Sequence, residues 1–336
     1  MSIDVKRAYF YAAARRDVYI EIPPEDREAG GEDMIAKLNL SLYGTRDAAQ
    51  TWTEEYTKTL KDLGFKTGKA TPCNFKHSSK ELSVTVHGAD FTIVGPEDSL
   101  VWLNKELAHR YEIKSSYLGP DAWMEQEIRV LNRTIRWTPE GIEYEPDQRH
   151  AEIVIDQLNL TSAKPVATPG ANDQDDDDRD KFPLLPPAEA THYRALAACV
   201  NYLAMDRVDI QFVAKEISKY MSQPRTTDHN KMKRLGRYLL GKPRYIQHYL
   251  WQQPTSEISV FTDSDWAGDK ITRKSTSGGM MLIGQHLIKS WSSTQPVIAL
   301  SSAEAELYAL VKGATQAVGL ASMLQDLDVD THQNIY

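Results

Sequence analysis

The chain has 336 residues, enough for two or three domains at about 100–200 residues each. Hydrophobic residues make up 41% and charged residues 26%, the balance of a soluble globular protein, and we find no apolar run near the ~20 residues that a membrane helix needs. We therefore expect no membrane partner. Two cysteines, Cys73 and Cys199, are too few for a disulfide framework or a zinc site.

The first half of the sequence mixes β-type runs with helical patterns. A helix is expected over 42–63, because apolar and aromatic residues recur there at helical spacing and Gly64 follows. Two β-type runs within 82–94 flank a short turn that ends at Asp90, which predicts a hairpin with a carboxylate at its tip. Further strands are expected at 3–11, 18–22, 123–130, 134–137 and 142–144, and a further helix at 100–111.

A change of composition at 168–187 marks the clearest boundary. Prolines and a glycine surround the acidic run 173–180, which does not fit a calcium-binding loop, because Asp178 occupies the glycine position and Leu184 the glutamate position. We expect a disordered, self-repelling linker. Beyond it the pattern predicts helices at 192–221 and 228–240, strands from 258, and a helix from 301.

Positive charge is concentrated in one window, although the chain as a whole has a net charge of −8. Residues 225–250 hold seven Lys or Arg and one acid, so this window carries +6 and the remainder −14. Such a patch can hold phosphate backbones, and a solvated helix face explains it equally well. The candidates for nucleic-acid binding are Arg225, Lys231, Lys233, Arg234, Arg237, Lys242 and Arg244.

Two acidic residues stand where metal-dependent phosphoryl transfer would place them. That chemistry commonly uses two divalent ions about 3.5–4 Å apart, held by carboxylates from separate strands. Asp4 on the first expected strand and Asp90 at the hairpin tip fit this arrangement. An aspartate at a turn is more often turn chemistry alone, so neither residue is specific by itself.

An ordered set of motifs resembles the reverse transcriptases of copia-type retrotransposon Pol polyproteins. Residues 1–10, which contain Asp4-Val5-Lys6, resemble their first polymerase motif, and 38–44, which end in Leu42-Tyr43-Gly44, resemble the second. The other matching stretches, in chain order, are 62–75, 117–119, 202–210, 261–279, 290–293 and 299–306.

The resemblance implies roles for three residues of the first two motifs. Asp4 would be the first metal ligand, Tyr9 the steric gate against a 2′-hydroxyl, and Gly44 the point where the backbone approaches the template–nucleotide pair. Without the motifs, Tyr9 is equally a core aromatic and Gly44 a turn glycine. The implied cofactor is Mg²⁺ or Mn²⁺, and the implied partners are an RNA template, a DNA primer, an RNA–DNA hybrid, dNTP and other Pol segments.

The sequence departs from the family at the hairpin. The family has an aromatic residue, any residue and then two aspartates, whereas this chain has His87, Gly88, Ala89 and Asp90. Alanine cannot ligate a metal, and one missing carboxylate weakens the stabilisation of developing charge. We expect polymerase chemistry to be crippled, and the family's upstream fingers region to be missing.

The C-terminal part resembles the opening of the family's ribonuclease H domain. Asp263 and Glu306 are the candidates for catalysis and metal binding there. Glu304 has capping-box spacing from Ser301 and is assigned to the helix start. The domain's later acids are not present, so we expect no ribonuclease H activity from this chain alone. Turn residues are expected at Asp265 and Asp269.

The expected fold is α+β: a reverse-transcriptase palm with an antiparallel sheet and helices on one face, a helical connection, and a partial ribonuclease H-like α/β domain. The expected domains are a palm and following region at 1–165, an acidic and proline-rich linker at 166–190, a helical connection at 191–252, and a C-terminally truncated ribonuclease H-like domain at 256–336. The resemblance implies a location in a cytoplasmic virus-like particle, the nucleus, or both.

Three hypotheses remain open on the sequence. The chain is a Pol fragment with impaired polymerase and ribonuclease H sites, or a non-catalytic nucleic-acid-binding protein. The second hypothesis predicts binding that weakens steeply with salt and does not depend on magnesium. The third is an unrelated two-domain α+β protein whose acids are all structural.

Overall fold

A computed structural model describes residues 1–27, 34–171 and 179–336. The chain divides into two compact units, the first at 1–131 with 322–330 and the second at 132–321 with 331–336. This division lies upstream of the expected boundary at 166–190. The acidic run 173–178 lies outside the described residues, so the linker expectation stays a prediction.

The first unit is built on a six-stranded antiparallel sheet with the order β4-β5-β6-β7-β1-β8. Its inner face is apolar because side chains alternate along each strand, so that Leu82, Val84 and Val86 of β6 are all buried against the helices. The elements of this unit are β1 Ser2–Val5, β2 Tyr19–Glu21, β3 Ile35–Lys37, α1 Ala48–Asp62, β4 Lys66–Thr67, β5 Asn74–His77, β6 Leu82–His87, β7 Asp90–Val94, α2 Glu97–Ala108, β8 Ile113–Ser116 and β9 Glu127–Val130.

Two elements of this unit are shorter than the sequence pattern predicts. β1 ends at Val5, because Arg7 has a left-handed backbone (φ 54°) and a 3₁₀ turn, Ala8–Tyr11, follows. α1 begins at Ala48 and not at 42, because Gly44 also has a positive φ (86°), which a helix does not tolerate. The hairpin of β6 and β7 forms as predicted.

The second unit contains a helical layer around one apolar core. Its helices are α3 Arg149–Gln157, α4 Pro187–Ala204, α5 Gln211–Lys219 and α6 Thr226–Gly241. α3 packs on α4 and α6, which explains why the compact unit begins before the expected linker. Beside this layer, β11 (Gly141–Glu145) pairs with β10 (Arg133–Thr138) and with β12 (Gln247–Leu250).

The single helix predicted over 192–221 is wrong. α4 and α5 are separated by an extended residue, Arg207, and a short 3₁₀ turn, Val208–Ile210. Arg207 is only 2% exposed, and it donates to the carboxylate of Asp209 and to the carbonyl oxygen of Lys242. These contacts hold the break, and a pattern of apolar residues cannot reveal them.

The last part of the second unit is a four-stranded sheet with the order β15-β14-β13-β16, covered by α7. Its elements are β13 Glu257–Asp265, β14 Thr276–Ile283, β15 His286–Thr294, α7 Ser302–Gln325 and β16 His332–Ile335. β16 runs parallel to β13, and the other two pairings are antiparallel. The mixture of helices with largely antiparallel sheets confirms the predicted α+β class.

α7 corrects one expectation about composition. By length and composition alone, the helix Ser302–Gln325 is apolar enough to cross a membrane. The sequence pattern had predicted no apolar run of that length. Only 22% of its most apolar window is buried inside the structure. A core helix of a soluble protein passes the same test, so this property alone carries little weight.

Candidate active site on the first sheet

The outer face of the first sheet brings Asp4 and Asp90 together. Asp4 of β1 is the direct cross-strand partner of Asp90 of β7. Directly opposed residues of an antiparallel pair point to the same face, with Cβ atoms about 4.5–5.5 Å apart. Burial raises the pKa of Asp90 above its ordinary value, and the negative charge of Asp4 raises it further. The two carboxylates therefore share one electrostatic site.

Basic side chains flank this pair on both sides of the sheet row. His87 of β6 is the cross-strand partner of Asp90, and Lys114 of β8 is the partner of Asp4. The positive charge of His87 partly offsets the upward shift of the Asp90 pKa. Across the four strands the row is therefore an imidazole, two carboxylates and an ammonium, so a basic side chain stands on each side of the two acids.

The hairpin tip is held by contacts that do not involve a carboxylate. Gly88 has a φ of 61°, which suits the first central position of a two-residue hairpin turn. The indole Nε1 of Trp52 donates to the carbonyl oxygen of Gly88 at 2.7 Å. The backbone amide of Val5 donates to the carbonyl oxygen of Ala89 at 3.0 Å. The Ala89 side chain is partly buried against the apolar core. Ala89 is thus a well-packed turn residue without ligating atoms.

Tyr9 and Gly44 lie in neighbouring parts of the first unit. The ring of Tyr9 contacts the ring of Tyr43, with centroids 4.5 Å apart, and Gly44 follows Tyr43 directly. No heavy atom lies within 4 Å of the position that a Cβ on Gly44 would occupy. Open space beside this glycine is compatible with close approach of a ligand to the backbone. Its positive φ explains the residue equally well.

The second pair of candidate acids lies on two different kinds of element, a strand and a helix. Val260 is buried and Thr262 lies against Gly313 of α7, so alternate residues of β13 face that helix. Asp263 belongs to the other set of β13 residues, whereas Glu306 is on α7 itself. Over the described ranges 1–27, 34–171 and 179–336, no three His, Cys, Asp or Glu side chains form a group that could hold a metal ion.

The neighbouring acids have structural roles, one of which differs from the expectation. The Ser301 hydroxyl accepts the amide of Glu304 at 3.2 Å, and the Glu304 carboxylate accepts the amide of Leu300 at 2.8 Å, so Glu304 caps α7. Asp269 lies in the loop after β13 and accepts the amide of Ile271 at 3.0 Å, as expected for a turn residue. Asp265 is instead the last residue of β13, where it pairs with Thr276 and accepts its amide, so the expected turn position of Asp265 is wrong.

The basic window of α6 is less free than its charge count predicts. Arg225 forms an ion pair with Asp180 and donates to the carbonyl oxygen of Phe182. Arg244 makes two 2.7 Å bonds to the carboxylate of Glu145. These two arginines therefore contribute to the fold, and their binding of phosphate stays a prediction.

The other five basic residues of the window have different environments. Arg237 donates to the carbonyl oxygen of Lys164 and Arg234 to the hydroxyl of Thr168, and both residues are partly buried. Lys233 is exposed on the same helix. Lys242 lies over the ring of Tyr238, and Lys231 lines a cavity. Binding of nucleic acid by these five residues stays a prediction.

One buried ion pair is not predicted by the sequence pattern. Arg179, directly after the acidic run, donates to Asp228 at 2.8 Å, and the two side chains are 9% and 2% exposed. The guanidinium also lies 3.7 Å from the centroid of the Tyr220 ring. The available signal was Asp228 itself, which is the one acid in the basic window and stands three residues after Arg225, the N-cap of α6.

A polar sheet face with two opposed carboxylates, backed by helices, defines this protein as a palm of the polymerase type. The family described as "Reverse transcriptase (RNA-dependent DNA polymerase)" matches residues 1–172, just over half of the chain. The chain belongs to this reverse transcriptase family.

Curated relatives agree along nearly the whole chain. The chain is 27% identical over 331 residues to the Retrovirus-related Pol polyprotein from transposon RE1 of Arabidopsis thaliana, covering 97% of this chain and 22% of that protein. It is 26% identical to the Pol polyprotein from transposon TNT 1-94 of Nicotiana tabacum, covering 99% and 25%. These relatives confirm the resemblance to copia-type Pol polyproteins. The chain spans only about a quarter or less of their length.

Solved structures agree on the fold. The foamy viral protease-reverse transcriptase in complex with dsDNA matches with a TM-score of 0.53 at 12% identity, covering 100% of this chain and 58% of that chain. A second foamy viral protease-reverse transcriptase complex with dsDNA matches with a TM-score of 0.52 at 14% identity, covering 99% and 48%. At this identity the likeness concerns the fold alone.

Proposed function

We propose that this chain binds primer–template nucleic acid as a reverse-transcriptase and ribonuclease H segment of a copia-type Pol polyprotein, and that its polymerase chemistry is crippled. The observation that carries the proposal is the pairing of Asp4 with Asp90 beside a turn that offers Ala89 where the family has an aspartate. The site keeps the geometry of a two-carboxylate centre and lacks a third acid. Its location in a virus-like particle or the nucleus is part of the same proposal.

The two carboxylates fit one divalent cation poorly and two not at all. Reverse transcriptases generally use divalent metals, and Mg²⁺ or Mn²⁺ binds through oxygen ligands such as these. Asp4 and Asp90 supply two such ligands, while Ala89 supplies none and Lys114 places a competing cation beside Asp4. A pair of ions about 3.5–4 Å apart needs more bridging oxygen than this row contains. These residues alone therefore do not support a metal-dependent catalytic step.

We propose Asp263 of β13 and Glu306 of α7 as the ancestral ligands of the ribonuclease H site. Two carboxylates are too few to hold the two metal ions of that chemistry. Hydrolysis of an RNA–DNA hybrid by this chain alone is not expected.

Binding without catalysis is the second candidate function, and the exposed cations of α6 favour it. The structural relatives are complexes with dsDNA, and on α6 Lys233 is exposed while Arg234 and Arg237 are partly exposed. Cations of this kind neutralise phosphates and make the affinity fall with salt. An RNA template, a DNA primer, dNTP and other Pol segments remain the proposed partners.

The experiment that tests the proposal is primer extension on an RNA template with Mg²⁺, using the native chain and the Ala89→Asp variant. Ala89→Asn is the matched control, because it adds the same volume at the turn without the charge. Binding of the primer–template is measured for all three proteins in parallel. We expect extension from Ala89→Asp alone, with equal binding by all three.

Each result decides a separate part of the proposal. Extension by the native chain contradicts the crippling effect of Ala89. Extension by Ala89→Asn as well as Ala89→Asp contradicts the requirement for charge. Binding by all three proteins without any extension supports the non-catalytic function, and failure to bind rejects both candidate functions.

A further inference from the structure

A cavity in the second unit lies apart from all the candidate acids of the polymerase site. Its volume is about 480 Å³, and its walls come from α5, α6, the loop after β13 and residues 169–171. Pockets of roughly 300–1,000 Å³ are the size class that holds small organic ligands. The cavity is therefore large enough for a single nucleotide.

The lining of this cavity is rich in charge, with a surplus of cations. Lys215 pairs with Glu216 at 2.6 Å, and Lys219 pairs with Asp269 at 2.5 Å, all with side chains at most 20% exposed. Partly buried ion pairs of this kind are weak evidence for a contribution to stability, and these two place charged groups on the cavity wall. The cationic lining residues are Lys215, Lys219, Lys231, Arg234 and Lys270, and the acidic ones are Glu216, Asp265 and Asp269.

Arg234 supplies the group that points to a ligand. Its Nη2 donates to the hydroxyl of Thr168 at 2.8 Å, which fixes the orientation of the guanidinium. Its Nε is shielded from solvent and has no hydrogen-bond acceptor among residues 1–27, 34–171 and 179–336. A buried donor without an acceptor is costly and calls for a specific explanation. A phosphate oxygen in the cavity would satisfy this donor with a charge-assisted hydrogen bond.

An aromatic ring stands at the same cavity. Phe212 of α5 lines it and is 53% exposed, so its ring is accessible to a ligand. The ammonium of Lys215 lies 4.6 Å from the centroid of this ring. Exposed aromatic faces beside cations are the surfaces on which nucleic-acid bases stack.

We propose that this cavity binds one nucleoside phosphate, with the phosphate at Arg234 and the base on Phe212. The ligand is either a free nucleotide or one unit of a nucleic-acid strand, because both present the same base and phosphate. The strand source rests on the nucleic-acid binding proposed above, whereas the free nucleotide does not.

The test is calorimetric titration of the full chain with AMP, inorganic phosphate and adenosine. We compare the native chain with Arg234→Gln, Phe212→Ala and Lys233→Gln. Lys233→Gln is the matched control, because it removes the same charge from an exposed position of the same helix outside the cavity lining. Primer–template binding is measured on the same four proteins.

We expect AMP to bind more tightly than phosphate and adenosine not to bind. Arg234→Gln should weaken AMP binding roughly tenfold or more. Phe212→Ala should weaken AMP binding about fivefold or more and leave phosphate binding unchanged. Lys233→Gln should bind AMP as the native chain does. Displacement of a single-stranded oligonucleotide by AMP identifies the strand as the source, and its absence identifies the free nucleotide.

Other results overturn the inference. If the native chain binds primer–template but not AMP, the cavity is not a nucleotide site, and the proposed function is untouched. If neither ligand binds, both proposals fail. Equal losses in Arg234→Gln and Lys233→Gln would show diffuse attraction and no site, and equal affinity for AMP and phosphate would reject the role of Phe212.

Discussion

The buried ion pair between Arg179 and Asp228 gives a quantitative stability prediction. The guanidinium donates from Nη2 to Oδ2 at 2.8 Å and from Nε to Oδ1 at 3.3 Å. Arg179→Met keeps the aliphatic bulk but leaves Asp228, which is 1% exposed, with the backbone amide of Arg225 as its one remaining donor in the described part of the chain. Removing one partner of a buried pair typically costs about 3–5 kcal/mol. The remaining amide places the expected cost near 3 kcal/mol.

Hydrogen exchange followed by mass spectrometry measures this cost locally. A local readout is needed because a chain with two compact units has no single two-state free energy of unfolding. A loss of about 3 kcal/mol should speed exchange in α6 about a hundredfold and leave α1 unchanged. Lys233→Met serves as the exposed control and should have no effect.

The double variant Arg179→Met with Asp228→Leu separates a stranded charge from a packing defect. It removes both charges, so most of the lost protection should return, less about 1 kcal/mol for the capping contact to Arg225. A change of less than about fivefold in α6 for Arg179→Met alone would refute the reasoning. So would a double variant that exchanges faster than the single one.

Two further predictions concern the second unit. The pKa of Glu145 is lowered from 4.5 to about 2, chiefly by its hydrogen bond from Arg244. The ionised Glu145 carboxylate therefore contributes its full stabilisation above pH 4.5, and this stabilisation is lost as the pH falls towards 2. Glu145→Gln should flatten the acid-unfolding curve in that window, and an unchanged curve would contradict this. Gly313→Ala should lower the unfolding temperature, at a cost of about 1–3 kcal/mol, because a Cβ would meet Thr262 Cγ2 at 2.4 Å, while Gly319→Ala, with open space around it, should not destabilise α7.

The sequence predicts those elements whose signals are local. The β6–β7 hairpin follows from strict alternation around Gly88, and the helix cap at Glu304 follows from its spacing to Ser301. The break at Arg207 could not be predicted, because its contact with the Lys242 carbonyl oxygen joins residues 35 positions apart. Propensity is local, and a long-range hydrogen bond overrides it.

The candidate sites were predicted unevenly for the same reason. Asp4 and Asp90 become neighbours through a register that the strand and hairpin patterns imply together. The basic window was overestimated, because a charge count cannot reveal that Glu145, 99 residues away, neutralises Arg244. The Arg234 donor in the cavity was counted only as one more positive charge, since its orientation depends on the distant Thr168.

Asp90 allows the remaining capacity of the first site to be measured directly. Burial and the charge of Asp4 raise its pKa, so Asp4→Asn should lower the pKa of Asp90 in an NMR titration of the side-chain carboxyl. The matched control is Asp98→Asn, an acid in the first turn of α2 that is absent from the groups acting on Asp90. An Asp90 pKa that stays the same in Asp4→Asn would show that the charge of Asp4 does not act on Asp90.

Repeating the titration with Mg²⁺ tests whether the pair still holds a cation. A divalent ion shared by both carboxylates favours their charged forms, so it should lower the Asp90 pKa in the native chain and have little effect in Asp4→Asn. Equal shifts in both proteins would mean that the ion is only screening charge. The hairpin tip is held by Trp52 and by the packing of Ala89, which need no metal. The fold of the hairpin therefore does not depend on a bound metal, and the Mg²⁺ response of the Asp90 pKa measures whether the two carboxylates bind one.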